Sequence, residues 1–287
     1  MNENIRYKNV NGVWRIIKHQ NASQNLWKSP QAERLARLYA ADVHAISNTK
    51  LGRFSYTQQF YQWLVENNLY DNLVLAIGSD YGVLKNEVTG VDYVASAYDL
   101  SKLGNNLTQG SAALQPEIVN RGWKFDNDVF SDNSGILNEH TDVTWGLWLK
   151  TDTYTGASYI AISSILGSAS RGLGFITTAT ALIFQCRTLT NIANSNFSHR
   201  STKGWEFVIG MFKKDTSTSH LFRSGVLVSS NSNEDVTNIA TSDLYIGRRS
   251  TTAPFYGTIG ESFIIKGTIT EPQALSLYNL QKSKYGL

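Results

Sequence analysis

The sequence has very little of what commonly crosslinks or anchors a protein. Cys186 is the only cysteine among 287 residues, so the chain can form neither an intramolecular disulfide framework nor a zinc site built from cysteines. No apolar run approaches the ~20 residues that are needed to span a bilayer, and we expect no membrane partner. Charged residues are also scarce, at 17% against 41% hydrophobic residues. This balance is typical of soluble globular proteins, β-rich binding modules among them.

The N-terminal residues Met1 to Arg6 contain no apolar segment of the kind that directs secretion. If the protein acts outside a cell, we therefore expect it to be released by lysis, as a component of a virus particle would be. The location that we predict on this basis is the virion.

The net charge of +3 is unevenly distributed along the chain. Residues 1–55 carry three acidic side chains and nine basic ones. The basic residues are Arg6, Lys8, Arg15, Lys18, Lys28, Arg34, Arg37, Lys50 and Arg53. This segment therefore has a net charge of +6, and the remainder has −3. Because a basic surface can hold a protein against an acidic partner, we predict a docking role for Arg15, Lys18, Arg34 and Arg37. The alternative is a solvated helix face with some excess of basic residues.

The first of three predicted zones, residues 1–78, is partly helical. Asn11-Gly12 suits the positive φ angles of a tight turn, which predicts a small hairpin over residues 7–17. Ser29-Pro30 is typical of a helix start, and a second helix with one apolar side follows residue 55. Two such helices cannot bury both of their faces, so we expect them to pack on the rest of the chain or on a neighbouring subunit.

The other two zones differ in their apolar content. Residues 79–115 contain few large apolar side chains and are predicted to be a connector whose course is set by turns. Residues 116–287 contain short apolar runs separated by Gly-, Ser-, Asn- and Thr-rich turns, which predicts a β-sandwich or barrel. In one of these runs, strand alternation places Trp145 and Trp148 on opposite faces. Thr270 to Gln273 then begins a final helix.

Several pieces of this β-rich part follow a recognisable order. They are the loop Tyr98 to Asn106, Gln115-Pro116, the strand Gly122 to Asp126, the paired tryptophans of Trp145 to Leu149, and the C-terminal strands and helix. From about residue 98 onward the chain resembles the laminin-G-like/concanavalin A-like lectin–glucanase superfamily, in the form found in bacteriophage virion structural proteins. The segment Phe60 to Leu73 resembles the helical lead that precedes such domains. The resemblance implies a mainly β, concanavalin A-like jelly-roll sandwich with a small N-terminal hairpin and helical segment.

The resemblance also bears on catalysis. Members of the superfamily that cleave β-glucans carry a Glu-x-Asp-x-x-Glu strand, whose two glutamates lie about 5–5.5 Å apart as nucleophile and acid/base. Here Glu206 and Glu261 are isolated on their strands. There is no Gly-x-Ser-x-Gly elbow, and the five histidines are scattered, although the members of a Ser–His–acid site need not be close in sequence. We therefore predict no enzymatic activity.

Asp126, Asp128 and Asp132 form the best candidate metal site. Closely spaced carboxylates suit calcium, which takes about 6–8 oxygen ligands. We expect no cofactor other than calcium, which laminin-G-like domains often bind. The spacing does not fit an EF-hand, because Phe130 occupies a ligand position. The sequence favours the alternative that these side chains bond to the backbone of a turn at a strand end.

A carbohydrate site needs aromatic rings for stacking and amides for hydroxyl groups. Trp148, Tyr154 and Tyr159 can supply the rings, and Asn194 can supply an amide. The alternative for the aromatic residues is burial in the core of the sandwich.

Taken together, these features predict a non-enzymatic virion structural or decoration protein of a bacteriophage. Its N-terminal segment would dock onto other virion proteins, and we expect it to be a homo-oligomer or to be present in many copies. The alternative is a carbohydrate-binding lectin or adhesin that recognises a host surface glycan. We expect no specific nucleic-acid partner, because no recognisable module accompanies the basic segment.

Overall fold

The computed structural model of the protein describes residues 6–10, 13–17, 30–46, 54–79, 82–132, 142–152, 158–163, 172–178, 181–187, 192–198, 204–232, 244–247 and 254–287. These residues form helices α1 (Pro30–Ile46), α2 (Phe54–Glu66) and α3 (Glu271–Gln281), and a 3-10 turn over Lys282–Tyr285 follows α3. The strands are β1 (Arg6–Val10), β2 (Val13–Ile17), β3 (Leu73–Ile77), β4 (Val83–Val88), β5 (Val91–Ala97), β6 (Leu107–Thr108), β7 (Glu117–Val119), β8 (Gly122–Asp126), β9 (Phe130–Asp132), β10 (Val143–Thr151), β11 (Ser158–Ser163), β12 (Gly172–Thr177), β13 (Ala181–Arg187), β14 (Ile192–Ser198), β15 (Glu206–Lys213), β16 (Thr218–Arg223), β17 (Val226–Ser232), β18 (Leu244–Ile246) and β19 (Tyr256–Lys266).

The strands β3 to β19 form one antiparallel system that folds over into two layers. In the front layer the order is β17-β16-β15-β10-β19. Strands β3 and β8 lie end to end along the other edge of β19, where each pairs with a different part of that strand. In the back layer the order is β14-β13-β12-β11-β18-β9-β6-β5-β4. Strand β7 pairs with both β5 and β8 and so joins the layers. Strands β1 and β2 pair with each other in a separate two-stranded sheet, which confirms the hairpin predicted over residues 7–17.

Strand β10 shows that both faces of the front layer are buried. Trp145, Leu147 and Leu149 point into the core between the layers, where the ring of Trp145 meets that of Phe175 edge-on at 6.0 Å. The alternation predicted from the sequence is thus confirmed. Trp148, on the opposite face, belongs to a second hydrophobic core. We call these the inner core and the outer core.

The outer core is formed where the three helices cover the front layer. The rings of Phe60 and Trp63 on α2 lie 5.6 and 6.4 Å from the ring of Phe263 on β19. Close packing here requires a glycine, because a Cβ on Gly146 would lie 2.3 Å from that phenylalanine ring. The expectation that the helices pack on the jelly roll is therefore confirmed.

Helix α3 begins as its sequence predicts. The Thr270 side chain accepts a hydrogen bond from the Gln273 N–H, and the Gln273 side chain accepts one from the Thr270 N–H at 2.8 Å. This capping box satisfies backbone donors that have no partner within the helix. The apolar residues Ala274 and Leu277 then point into the outer core.

The three predicted zones are not separate structural units, because strands from all of them pair in the same sheet. Strand β3, from the zone of residues 1–78, pairs with β19 of the jelly roll. Residues 79–115, predicted to be a connector, contain β4, β5 and β6, and β6 pairs onward with β9. The prediction of a connector is therefore wrong. The strands are hard to recognise in the sequence because most side chains of β4 and β5 are partly or fully exposed, so that they include few large apolar residues.

A buried carboxylate holds the loop that follows β5. One oxygen of Asp99 accepts the N–H groups of Ala76 and Ser101, each at 2.8 Å, and the other accepts the N–H of Asn105 at 2.9 Å. Burial raises the pKa of Asp99, and these hydrogen bonds partly offset the rise. The loop is thereby tied to β3.

Candidate functional site

Trp148 lies inside the outer core and presents no face to a ligand. Its side chain is 0% exposed, and its ring stacks on Tyr285 at 4.0 Å and on Tyr278 at 5.9 Å. Its indole N–H donates to Gln281 Oε1 at 2.7 Å. The interpretation of Trp148 as a sugar platform is therefore wrong, because α3 and the 3-10 turn cover this face of the sheet.

The other predicted sugar-binding residues lie on the back layer or outside the described residues. Asn194 on β14 faces Gln185 on β13, and Gln185 Nε2 donates to Asn194 Oδ1 at 3.1 Å. Tyr159 is on β11, but its side chain and the whole of Tyr154 lie outside the described residues. Because Trp148 is in the outer core of the front layer, the structure does not bring it together with Asn194.

Polar groups do accumulate where the edges of β14 and β17 meet. The N–H of Asn196 donates to Ser229 Oγ at 3.1 Å, and Asn231 Nδ2 donates to the carbonyl of Asn194 at 3.0 Å. Asn196 and Asn231 are exposed. This row of amides and hydroxyl groups, which we call the β14/β17 edge, is where the described residues offer hydrogen bonds to a polar ligand.

The predicted calcium ligands lie around the end of β8. The Asp126 N–H donates to Asp128 Oδ2 at 2.7 Å, and Asn127 between them has a φ of 66°. One of the three carboxylates thus bonds to the backbone of the turn. In the part of the chain that the structure describes, no three metal-ligating side chains come together. The side chain of Asp132 is outside that part, so calcium binding stays a prediction.

The two strand glutamates are separated, and each has a cationic partner. Glu206 on β15 pairs with Arg223, whereas Glu261 on β19 pairs with Lys284. Glu206 lies opposite Leu149 on the inner face of the front layer, and Glu261 meets Tyr285 on the outer face. They therefore do not form the pair of carboxylates that glycoside cleavage requires.

Lys284 is a buried cation that no sequence pattern indicated. It is 1% exposed, pairs with Glu261 and donates to Ser79 Oγ at 3.0 Å. The adjacent cleft between α2 and β19 has a volume of about 20 Å³, which is room for about one water molecule and not for a sugar ring. No local signal could have identified this lysine, because its partners are far away in sequence.

His220 is the one histidine whose side chain lies within the described residues. It is half-buried on β16, and burial together with the nearby Lys213 lowers its pKa. Within the described part of the chain its buried Nδ1 has no hydrogen-bond partner. A Ser–His–acid site requires a carboxylate at that position, so His220 does not form one with the described residues.

Two of the four predicted docking residues lie on the exposed face of α1. Arg34 is exposed, Arg37 is half-buried and pairs with Glu33, and Leu38 is 54% exposed. Together with Pro30 they line an open groove of about 290 Å³. The opposite face of α1 carries Ala32, Ala36 and Tyr39, which are buried in the outer core. The side chain of Arg15 and the whole of Lys18 lie outside the described residues.

Comparison with known proteins places this geometry in context. A family model described as the concanavalin A-like lectin/glucanases superfamily matches residues 126–274, just over half of the 287 residues. No curated protein matches the sequence. Among the described helices, none is both long and apolar enough to cross a bilayer.

Solved structures with a similar fold include three botulinum neurotoxin binding domains. They are the serotype G domain (TM-score 0.59, 15% identity), the serotype D domain (0.57, 14%) and the neurotoxin DC domain in complex with rat synaptotagmin II (0.54, 16%). The matches cover 74% to 75% of this chain and 52% of each of the others, so the chain spans about half the length of those structures. Together with the two-layered sheet, the comparisons confirm the predicted concanavalin A-like jelly roll.

Proposed function

The chain belongs to the concanavalin A-like lectin/glucanase superfamily, and on this premise we propose that it is a non-enzymatic binding protein. The similar solved structures are binding domains rather than catalytic ones, which supports this proposal. The engagement of Glu206 and Glu261 in separate ion pairs supports it as well.

Within that class we propose a structural or decoration protein of a bacteriophage virion, present in many copies. The observation that carries this proposal is the two-sided character of α1. Its inner face packs in the outer core, so that the helix presents Arg34, Leu38 and the Arg37–Glu33 pair on its outer face. A fixed helix that combines a basic side chain with an exposed leucine suits docking onto an acidic neighbour, because the backbone needs no ordering on binding.

The experiment is charge reversal on this face, assayed by incorporation into purified phage particles. We expect Arg34→Glu with Leu38→Glu to lower the copy number in particles at least tenfold, with an unchanged thermal unfolding midpoint. Lys214→Glu, on an exposed turn between β15 and β16, is the matched control. Normal incorporation of the α1 variant would exclude this docking surface. A deletion of residues 1–78 is less informative, because it also removes β3 from the sheet.

The second candidate function is glycan recognition. The β14/β17 edge supports it, because its exposed amides and hydroxyl groups are the groups that bond to sugar hydroxyls. Two of the neurotoxin domains with a similar fold are described as receptor-binding domains, which is consistent with it. A glycan array probed with the whole chain tests this function. A specific signal that Asn231→Ala weakens favours it, and a blank array argues against it.

A further inference from the structure

Four polar side chains meet where the 3-10 turn after α3 closes over β19. They are Ser79, Glu261, Lys284 and Tyr285, and we call them the Lys284 cluster. Ser79 and Lys284 are each 1% exposed, Tyr285 is 2% exposed, and the side chain of Glu261 is 16% exposed. None of the residues predicted to bind a sugar, a metal or a docking partner belongs to it. The cluster brings a primary amine into direct contact with a carboxylate in a place that little water reaches.

The two carboxylate oxygens of Glu261 have different partners. Oε1 accepts hydrogen bonds from Lys284 Nζ and, at 3.2 Å, from the Ser79 hydroxyl, whereas Oε2 accepts one from the Tyr285 hydroxyl. The Tyr285 oxygen itself accepts the backbone N–H of Glu261 at 3.0 Å. This close approach depends on Gly260, since a Cβ there would lie 2.2 Å from the tyrosine oxygen. The carboxyl group is therefore held between the amine on one oxygen and the phenol on the other.

Ser79 connects the amine to the same carboxylate oxygen. Its Oγ accepts a hydrogen bond from Lys284 Nζ at 3.0 Å and donates the one to Glu261 Oε1. The Ser79 carbonyl accepts the indole N–H of Trp123 at 2.9 Å, which holds the residue in place. A hydroxyl group that accepts from an amine and donates to a carboxylate provides a path for protons between them.

The surroundings favour condensation of the two groups. Lys284 Nζ lies 5.4 Å from the centre of the Tyr56 ring, and burial removes the hydration that stabilises separate charges in water. Well-aligned groups held in contact react as if each were present at about 10⁵–10⁸ M. The adjacent cleft, which is lined by Glu261, Tyr56 and Gly78, has a volume of about 20 Å³. That is enough for the one water molecule that the condensation of an amine with a carboxylate releases.

We propose that Lys284 and Glu261 condense after folding to form an isopeptide bond. The Nζ–Cδ bond forms and the Cδ–Oε1 bond breaks. The two protons that the ammonium group loses pass through Ser79 to Oε1, which leaves as water. Oε2 becomes the amide oxygen, and the Tyr285 hydroxyl stabilises the negative charge that develops on it during the attack. The charges of the two reactants cancel, so the step needs no oxidant, reductant or co-reactant.

The bond joins β19 to the 3-10 turn and closes a loop that contains α3. A covalent link of this kind restricts the unfolded chain and so stabilises the folded one. The inference does not depend on what the protein binds, and it stands or falls separately from both functions proposed above.

The test is mass spectrometry of the whole purified chain in denaturant. We expect a mass that is lower by one water molecule than the sequence requires. Trypsin does not cut after an acylated lysine, so it should release a branched peptide in which residues 250–266 are joined through Lys284 to residues 283–287. Lys284→Arg keeps the positive charge but has no primary amine, and it should have its full calculated mass.

Lys85→Arg is the matched control, because Lys85 pairs with Asp92 at 2.6 Å in a partly exposed position. This variant should still lack one water molecule. Tyr285→Phe should slow the loss of water at least tenfold in a time course on freshly synthesised chain, and an unchanged rate would overturn the part assigned to Tyr285. A wild-type chain with its full calculated mass contains an ion pair only and overturns the proposal. Loss of water that maps to other residues, or that persists in Lys284→Arg, overturns it as well.

Discussion

Replacement of Trp148 distinguishes a buried core residue from a ligand platform. Trp148→Ala removes a ring that stacks on Tyr285 and leaves a cavity, which in well-packed cores costs about 3–5 kcal/mol. It also removes the donor to Gln281, which is 5% exposed, and an unpaired buried acceptor costs about 1–3 kcal/mol. The two effects together amount to about 4–8 kcal/mol, a large share of the ~5–15 kcal/mol by which single domains are stable, so we expect the urea midpoint of the variant to fall steeply.

The assay is urea denaturation followed by near-ultraviolet circular dichroism. Trp148→Phe keeps a ring on Tyr285 but loses the hydrogen bond to Gln281 and part of the ring volume, so it should be destabilised by at least about 1–3 kcal/mol and by less than Trp148→Ala. Leu103→Ala is the surface control, because Leu103 is 55% exposed and its truncation should change stability by less than about 0.5 kcal/mol. An unchanged urea midpoint for Trp148→Ala would refute the reasoning. It would mean that α3 does not cover this face in solution.

Three further predictions concern buried or half-buried ionisable groups. Lys284→Met leaves Glu261 with an uncompensated charge, so we expect the free energy of unfolding in urea to fall by about 3–5 kcal/mol. Adding Glu261→Gln should recover part of this loss. Absence of recovery would contradict the pairing. Because burial and Lys213 lower the pKa of His220, its contribution to stability is complete above the unfolded value of about 6.5 and is lost as pH falls through the lower folded value. His220→Gln should therefore flatten the fall in urea midpoint between about pH 7 and pH 5, and an unchanged slope would contradict the assignment. Asp99→Asn turns an amide NH₂ toward backbone N–H donors and should cost about 1–3 kcal/mol in a thermal melt, whereas a neutral result would exclude Asp99 as the anchor of its loop.

The sequence predicted local features of the fold better than the environment of each face. Alternation along β10 correctly put Trp145 and Trp148 on opposite sides. It could not reveal that both sides are buried, because the cover over Trp148 comes from α3 and the 3-10 turn, which are distant in the chain. Helix α3 itself was predictable, since its capping box lies within four consecutive residues.

Residues 79–115 show the opposite limit. Most side chains of β4 and β5 are partly or fully exposed, so the sequence of these strands shows little alternation of apolar residues. The local signal that was available is Thr89-Gly90, where both residues have positive φ angles, as a tight hairpin turn requires. Which strands β4 and β5 pair with in the back layer is decided by tertiary contacts and cannot be read from the sequence of this segment.

The candidate sites were predictable only in part. Arg34 and Arg37 were identified from charge alone, and the structure places both on one helix face. The isolation of Glu206 from Glu261 was also visible in the sequence. The buried pair of Lys284 with Glu261 was not visible, because its two members are 23 positions apart in the chain.

The central position of β19 has a consequence for synthesis on the ribosome. This strand pairs with β10, β3 and β8, although it is the last of all the described strands to be translated. Until β19 has emerged from the ribosome, β10 and β3 both lack a partner on the edge that pairs with β19. The aromatic face around Trp148 is covered later still, once α3 has been translated. Strands β15, β16 and β17 can pair with one another and with β10 earlier, but completion of the front layer has to follow translation of residues 256–285. Such late, long-range pairing is slow, and the nascent chain has to be kept from aggregating meanwhile.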